Sequence, residues 1–452
     1  MRLIWGNMMD ETKSNKQMVT KLNKIANLSR QDNQLKFSKL MPHFTEENLL
    51  SCFNELDGKK AVGIDGKTKA TYAENLEGNI RELIRKMKSL SYRPEAVREV
   101  LIPKSNGKLR ALGISTIEDK IVQLMFSKIL EAIYEPMFCS FSYGFRRNKS
   151  AHDALRETVE HLKFNNVKQV LDIDLENFFG TIDHRHLMRL LSQRIEDKLF
   201  LRYVTRMLKS GKQTRHGKVS TNVGLPQGSI MSPVLANIYA HHVMDLWIDE
   251  VVPRHTIGSV KMIRYCDDCV ICCTDTRDVK KVMRSLAKRL AKFGLKLNEE
   301  KTSIINFNRY TFERGVKQDS FDFLGFTFYL SKDRKGTFTV VKVKTSKKTL
   351  RAKLANVKAW LKRNRFAGGL RDIWLVFCRK LKGHIAYYGV THNNRSLKIF
   401  LQEARRLFFK WFNRRSQKRS FNWDKFSAFE KQYPMPTAKI YHSIYKARST
   451  GQ

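Results

Sequence analysis

The stretch "VKMIRYCDDCVICC", residues 260–273, decides how the rest of the chain is read. Its apolar positions on either side of an Asp-Asp pair predict a strand, a tight turn and a second strand. Four cysteines crowd the same run. Three readings compete: an acidic hairpin turn, a cysteine metal knuckle, and a metal-binding carboxylate pair. Asp suits turns chemically, so an isolated Asp-Asp is by default only a turn. Cys266, Cys269 and Cys272 are spaced for a knuckle, but structural zinc wants two separated pairs or added histidines, and no second pair exists. Small buried packing is the default for such sulfurs. A carboxylate pair gains weight only from other acids brought to the same place.

A second stretch, "VKQVLDIDLENFFGTIDH" (167–184), reads as a buried strand ending near Asp174. Side chains two apart on a strand share a face, so Asp172 and Asp174 compete for one role. Between the two acidic stretches lies "TNVGLPQGSIMSPVLANIYAHHVMDLWI", a Gly/Pro loop carrying Gln227 and Gly228 and leading into a long helix. After them come "DVKKVMRSLAKRLAKFGLKLNEEKT", an amphipathic helix with a Gly stop and a short strand, and "FDFLGFTFYL", a further strand. The order β-α-β-β-α-β is that of a split βαβ sheet, and the fold class is α+β. Carboxylates converging at one sheet edge repel one another without a counter-charge. Mg²⁺ is the usual one, a hard cation taking oxygen ligands (Mn²⁺ is an alternative), and two such ions clamp the attacking and leaving oxygens of a phosphoryl transfer.

Upstream, "REVLIPKSNGKLRALGI" reads as strand, turn, strand, and residues 116–135 as an apolar-periodic helix. Helices are expected near "KQMVTKLNKIANL" and between Phe37 and Leu90, the latter interrupted by the polar loop "DGKKAVGIDGKT". Ser150 is placed to cap the helix after "FCSFSYGFRRNK".

The chain of 452 residues carries 85 Lys and Arg against 43 Asp and Glu, a formal charge of +42. That charge repels itself unless a polyanion neutralises it, so nucleic acid is the expected partner, with a ribosomal-type scaffold or an anionic-membrane binder as the bland alternatives. Residues 342–452 hold 28 Lys and Arg against four acids, a net +24. This last quarter reads as basic helices with interleaved aromatics, as in "RLFFKWFNRRSQKRSFNW". Phe408, Trp411 and Phe412 recur at helical spacing, which favours packing between helices over stacking on bases. No apolar run approaches a membrane span, the N-terminus has too short an apolar stretch for a signal peptide, and seven cysteines, an odd number, point to a reducing cytosol.

In this order the motifs resemble those of reverse transcriptases encoded by bacterial group II introns and of their domesticated relatives. The resemblance runs from about Phe37 to the C-terminus, through "IPKSNGKLRALGISTIEDKIVQ", "SYGFRRNKSAHDAL", "DIDLENFFGTIDH", "GLPQGSIMSPVLANIY", "YCDD", "GLKLNEEKT", "FDFLGFTF", "KLKGHIAYYGV" and "RRSQKRSFNWDKF". It implies a right-hand polymerase: an N-terminal extension (1–36), fingers running into the palm (37–165), the palm (166–335) and an all-helical thumb, or maturase, domain (342–452). It implies RNA-directed DNA synthesis from dNTPs with two Mg²⁺ ions on Asp174, Asp267 and Asp268, an RNA template with a DNA or RNA primer, and a group II intron RNA as partner in a cytoplasmic ribonucleoprotein. It places Lys104, Arg110, Phe179, Gln227, Gly228 and Lys301 around the incoming nucleotide: Lys104 and Arg110 on its triphosphate, Phe179 as a steric gate at the sugar 2′ position, Lys301 at the leaving pyrophosphate. Arg146, Arg147, Lys410, Arg414, Arg415, Lys418 and Arg419 are the expected nucleic-acid contacts.

Two departures stand out. Cys266 replaces the family's usual Ala before the aspartates, and "LENFF" replaces the usual basic "IKGFF" or "IKKFF", putting Glu176 near the site. The last cysteine is Cys378, so the clustered Cys and His of the family's endonuclease are not expected here. The rival readings are a repair or antiphage polymerase of the same type, a splicing maturase without polymerase activity, and a basic structural RNA-binding protein.

Overall fold

The computed structural model describes residues 13–103, 109–214, 217–219, 222–415 and 422–445. Lys104 of the expected triphosphate contacts and Lys418 and Arg419 of the expected nucleic-acid contacts lie outside the described residues.

The strands are β1 (Val97–Pro103), β2 (Leu109–Ile114), β3 (Gln169–Ile173), β4 (Lys212–Thr214), β5 (Gly217–Val219), β6 (Val260–Tyr265), β7 (Asp268–Cys273), β8 (Ser303–Asn306), β9 (Phe321–Phe323), β10 (Phe326–Lys332) and β11 (Thr339–Thr345). They make three sheets, ordered β2-β1-β4-β5, β6-β7-β3-β8 and β11-β10-β9. In the second sheet every neighbouring pair is antiparallel. Its chain order is strand, helices, two strands, helix, strand, as the β-α-β-β-α-β reading expects.

The period of two along β3 and β7 divides this sheet between two cores. Leu171, Ile173, Cys269, Ile271 and Cys273 face a large core built around the helix Ile117–Tyr134. Val170, Val270 and Cys272 face a second core shared with β9, β10, β11 and the helix Ala151–Phe164. That helix starts in a full capping box: Ser150 accepts from the Asp153 backbone N–H, and the Asp153 carboxylate accepts in return from the Ser150 N–H. A third core, around Trp374, Phe377 and Phe408, joins the helices Leu370–Tyr388, Asn394–Phe412 and Trp423–Gln432 to Lys347–Asn364.

Several boundaries differ from the sequence reading. The N-terminal helix, Lys13–Gln31, is no appendage: Met18, Leu22 and Ile25 are buried in the first core, and the Ser29 hydroxyl donates to the Ile133 carbonyl at 2.6 Å. Strands β4 and β5 fall within the stretch assigned to the palm, yet β4 pairs in parallel with β1. The single strand expected over "FDFLGFTFYL" is two, because Leu324 and Gly325 both take positive φ (+52° and +81°) in a two-residue turn between Phe323 and Phe326. The basic helical region starts at Lys347, since residues 342–345 complete β11.

The segment after the last helix turns back across the molecule. Tyr441 and His442 donate their backbone N–H groups to the Gly389 carbonyl, at 2.7 and 2.9 Å. The His442 ring stacks on His152, centroids 3.7 Å apart, and Ile444 is buried in the second core.

Adding a Cβ at a left-handed position costs about 1–2 kcal/mol. At Gly325 that Cβ also meets the Tyr388 hydroxyl at 3.1 Å. Gly325→Ala is therefore expected to lower stability by about that amount or more in urea unfolding. An unchanged midpoint would mean the turn is not constrained as described.

Candidate active site

The Asp-Asp stretch is a hairpin closed by two residues. Tyr265 pairs with Asp268, and Cys266 and Asp267 form the turn, with Cys266 at φ +61°. A non-glycine residue rarely takes that conformation, and it persists only where the surroundings over-determine it. Here they do. Arg264, the penultimate residue of β6, is completely enclosed. Its guanidinium holds both carboxylate oxygens of Asp245, at 2.7 and 2.5 Å, and donates to the Ser142 hydroxyl (2.7 Å), the Asn237 side-chain oxygen (3.2 Å) and the Cys266 carbonyl (3.0 Å). Asn237 in turn donates to the Gly144 carbonyl at 2.7 Å. Gly144 lies so near the turn that a Cβ there would meet Cys266 Sγ at 2.3 Å. Asp245 reaches the network from a helix whose turns widen to π-helical over His241–Val251.

Three elements bring the acids together. The strand β3 stops at Ile173, and Asp174 follows; its carbonyl accepts from the Asn298 N–H at 2.8 Å, and its Oδ2 accepts from the Asn298 amide and the Lys301 ammonium, both at 2.9 Å. Asp268 begins β7 on the same sheet face as Asp172. Burial pushes the Asp268 carboxyl up to about 6, with Asp267 and Asp174 adding to the rise and Lys301 opposing it. Burial raises Asp172 to about 7, with Asp268 and Asp174 adding. Asp267 is raised as well, first by burial, with Asp174 adding and its own backbone amide and Arg110 pulling against. The four acids therefore form one electrostatic unit, with Arg110, Lys301 and the enclosed Arg264 as its nearby cations.

Among the described residues no three His, Cys, Asp or Glu side chains close on one point as a ready metal cage. The donor chemistry still fits a hard divalent cation: the acids that act on one another carry oxygen donors, and their mutual repulsion leaves negative charge for a cation to balance. Asp174, Asp267 and Asp268 are the candidates to hold one, with Asp172 further back on β3.

The flanks are built by close backbone approach. Gly113 donates its N–H to the Gln227 carbonyl at 2.7 Å, and Gly228, at φ +113°, comes so near that a Cβ would meet the Gly113 carbonyl at 2.6 Å. The loop carrying Gln227 also runs along Phe179: Leu225 donates to the Phe179 carbonyl at 2.7 Å, and Gly224 to that of Ile182 at 2.8 Å. Phe179 is half-buried, with the exposed ring of Phe145 edge-on at 6.5 Å. The site thus gathers Asp174, Asp267, Asp268, Arg110 and Lys301, and the Gly113 contact ties the Gln227–Gly228 loop to the strand that carries Arg110. Glu176 instead faces outward and pairs with Lys296 at 3.6 Å.

The expected nucleic-acid contacts divide. The Arg146 guanidinium is spent inside the fold, on Glu135 at 2.9 Å and on the carbonyls of Cys139 and Ser142 at 2.7 Å, over the Phe138 ring. Arg147 pairs with Glu131. Arg415 donates to the Gly368 carbonyl and lies over Phe412, whereas Lys410 and Arg414 are exposed. Phe408, Trp411 and Phe412 are buried in the third core.

Sequence reasoning missed Arg264, Asp245, Asn237, Gly144 and Asn298. The one available signal was Arg264 itself, a charge set between Ile263 and Tyr265 in a strand whose only other charge is Lys261.

Residues 102–328 match the family described as reverse transcriptase (RNA-dependent DNA polymerase). The chain belongs to that family. Its relatives include a protein of a group II intron: it is 33% identical over 224 residues to the group II intron-encoded protein LtrA of Lactococcus lactis, covering 49% of this chain and 37% of LtrA. It is 28% identical over 340 residues to the putative COX1/OXI3 intron 1 protein of Saccharomyces cerevisiae, covering 60% of this chain and 40% of that one. It is 29% identical over 352 residues to protein YkfC of Escherichia coli, covering 70% of this chain and 90% of YkfC. The chain thus spans less than half the length of these two intron-encoded relatives.

Removing one partner of a buried ion pair strands the other charge at about 3–5 kcal/mol. Arg264→Ala is expected to destabilise by that amount in denaturant unfolding, and the Arg264→Ala/Asp245→Ala double variant by clearly less than the sum of the two single changes. Strict additivity would show that the pair is not coupled.

Proposed function

We propose that this protein is an RNA-directed DNA polymerase that extends a primer 3′-hydroxyl on an RNA template. The observation that carries the reading is that Asp174, Asp267 and Asp268 act on one another's charge at a turn that the Arg264 network clamps. In this reading the split βαβ sheet is the palm, the β1–β2 sheet belongs to the fingers, and the basic helices after Lys347 are the thumb.

Two Mg²⁺ ions held by Asp174, Asp267 and Asp268 would supply charge neutralisation at the attacking and leaving oxygens. The chain's own groups do the positioning. Arg110, on β2, presents a forked guanidinium to phosphate oxygens beside Asp267. Phe179, backed by Phe145, walls the nucleotide sugar. Gly228, with no side chain, lets the Gln227 loop lie against β2 and contact template and nucleotide. Lys301, on the Asp174 carboxylate, is the cation nearest a departing pyrophosphate. Catalysis of this kind is mostly orientation and charge stabilisation, without a covalent intermediate.

The exposed cations of the thumb, Lys410 and Arg414 among them, grip the template–primer and a group II intron RNA, whose splicing the protein assists in a ribonucleoprotein. The intron-encoded relatives support that partner.

Primer extension on an RNA template with dNTPs and Mg²⁺ tests the reading. Wild-type protein is expected to extend the primer. Asp174→Ala and Asp267→Ala are each expected to lose at least about a hundredfold in rate while RNA binding stays nearly intact. No extension by wild type, with tight RNA binding retained, would replace this reading with that of a maturase on a polymerase fold.

A further inference from the structure

The helix Thr276–Lys292 carries seven Lys and Arg and a single acid. Its buried side is made by Val279, Val282, Leu286 and Leu290, which pack on the face of the second sheet lined by Leu171, Ile173 and Ile271. Asp172 and Asp268 share the other face of that sheet with Val170 and Val270. The outer side of the helix therefore points away from the face on which the catalytic carboxylates lie.

At 3.6 residues per turn, Arg277, Lys280, Lys281, Arg284, Lys288 and Lys292 fall within about a third of the helix circumference, opposite the buried residues. All six are exposed. The row is about 22 Å long at 1.5 Å per residue, with neighbouring cations about 6 Å apart along the Lys280, Arg284 and Lys288 line. Little in the fold neutralises it. Arg277 is paired with Asp275, and Lys281 donates to the His255 carbonyl. The helix's own acid, Asp278, is buried and accepts from the backbone N–H groups of Ile257 and Gly258. Among the described residues no ion pair involves Lys280, Arg284 or Lys288. Like charges at i,i+4 destabilise a helix, so this row works against the fold that carries it.

The geometry points to a second nucleic-acid surface, on the back of the catalytic sheet, that binds the phosphate backbone of an RNA segment other than the duplex in the active site. The chemistry selects this partner over an anionic membrane. A membrane-lying helix must sink its apolar face into lipid, and here that face is already buried against the sheet. The exposed side offers Lys, Arg, Ser285 and Ala287, with no aromatic for a base to stack on, so it reads phosphates and not sequence. A long RNA held there and fed around the sheet edge stays with the protein while the catalytic face exchanges its short hybrid.

The test uses the full chain carrying Lys280→Gln, Arg284→Gln and Lys288→Gln together. These side chains are exposed and repel one another, so the variant is expected to fold with a melting temperature equal to or above that of the wild type. Two probes are compared: a structured RNA of roughly 300 nucleotides, and a primer–template hybrid of roughly ten base pairs, too short to reach both faces. Affinity for the long RNA is expected to fall about tenfold at about 0.1 M salt, and the slope of log affinity against log salt by up to about three. Affinity for the short hybrid is expected to stay constant. Unchanged affinity and slope on the long RNA would overturn the inference, as would an equal loss on the short hybrid. Lost binding to phosphatidylserine vesicles with RNA binding untouched would assign the face to a membrane and overturn it too. None of these readouts requires nucleotide incorporation, so the inference and the polymerase reading fail separately.

Discussion

The enclosed pair of Arg264 and Asp245 is the contact on which the rest of the site depends. An arginine fully out of water is tolerated only when its donors are met, and here they tie together three separate pieces of chain. Asp245 comes from the widened helix after Ala240, Asn237 from the same helix about two turns earlier, Ser142 from the loop before Ser150, and the Cys266 carbonyl from the Asp-Asp turn. The turn is thus fixed from beneath by a charge that cannot move without leaving its partner stranded. That fixation explains how Cys266 holds a backbone conformation better suited to glycine, and why two aspartates with raised proton affinity are held side by side.

Fixing the turn from below leaves the upper side open. Every contact of the network comes from the loop at 142–144, the helix through 237–245 or the turn's own backbone, and none from the carboxylates. The acids are stabilised in place without being neutralised. Besides Arg264 beneath the turn, their compensating charges are Arg110 on β2 and Lys301 after the helix Thr276–Lys292. A polyphosphate entering between them would meet cations on both sides and the acids at its base.

Much of this was legible in the sequence, and the failures are instructive. Asp267 and Asp268 stand out because apolar runs on both sides force a strand–turn–strand reading, and β3 is visible because five residues, Gln169 to Ile173, stop at an acid. Arg264 was not legible as a structural charge. In a strand of alternating pattern a cation normally marks the wet face, and nothing local reveals that both faces of this sheet are covered. The widened turns of 241–251 left no mark either, since an apolar helix continues through them. The break between β9 and β10 was missed because Leu324 is no turn former, and only Gly325 hints at it. Pairing of β4 with β1 depends on residues more than a hundred positions apart, beyond what any local pattern encodes.

The returning segment after the last helix has a consequence for how the molecule is made. The second core contains Tyr143, Val170 and Val270, and it also contains Ile444. Arg156, on the helix that opens that core, reaches the Ser443 carbonyl. A chain emerging from the ribosome in order can assemble the first core, including the helix Ile117–Tyr134, as soon as residue 297 is out, because its last buried member is Leu297. It cannot close the second until residue 444 has followed. During that interval the face of the second sheet that bears Val170, Val270 and Cys272 is covered only by the helix Ala151–Phe164 and then by β9, β10 and β11, without the segment that carries Ile444. The newborn protein therefore passes through a stage with one finished core and a second core still open where Ile444 will sit, an incompletely packed intermediate of the kind prone to misassociation during synthesis.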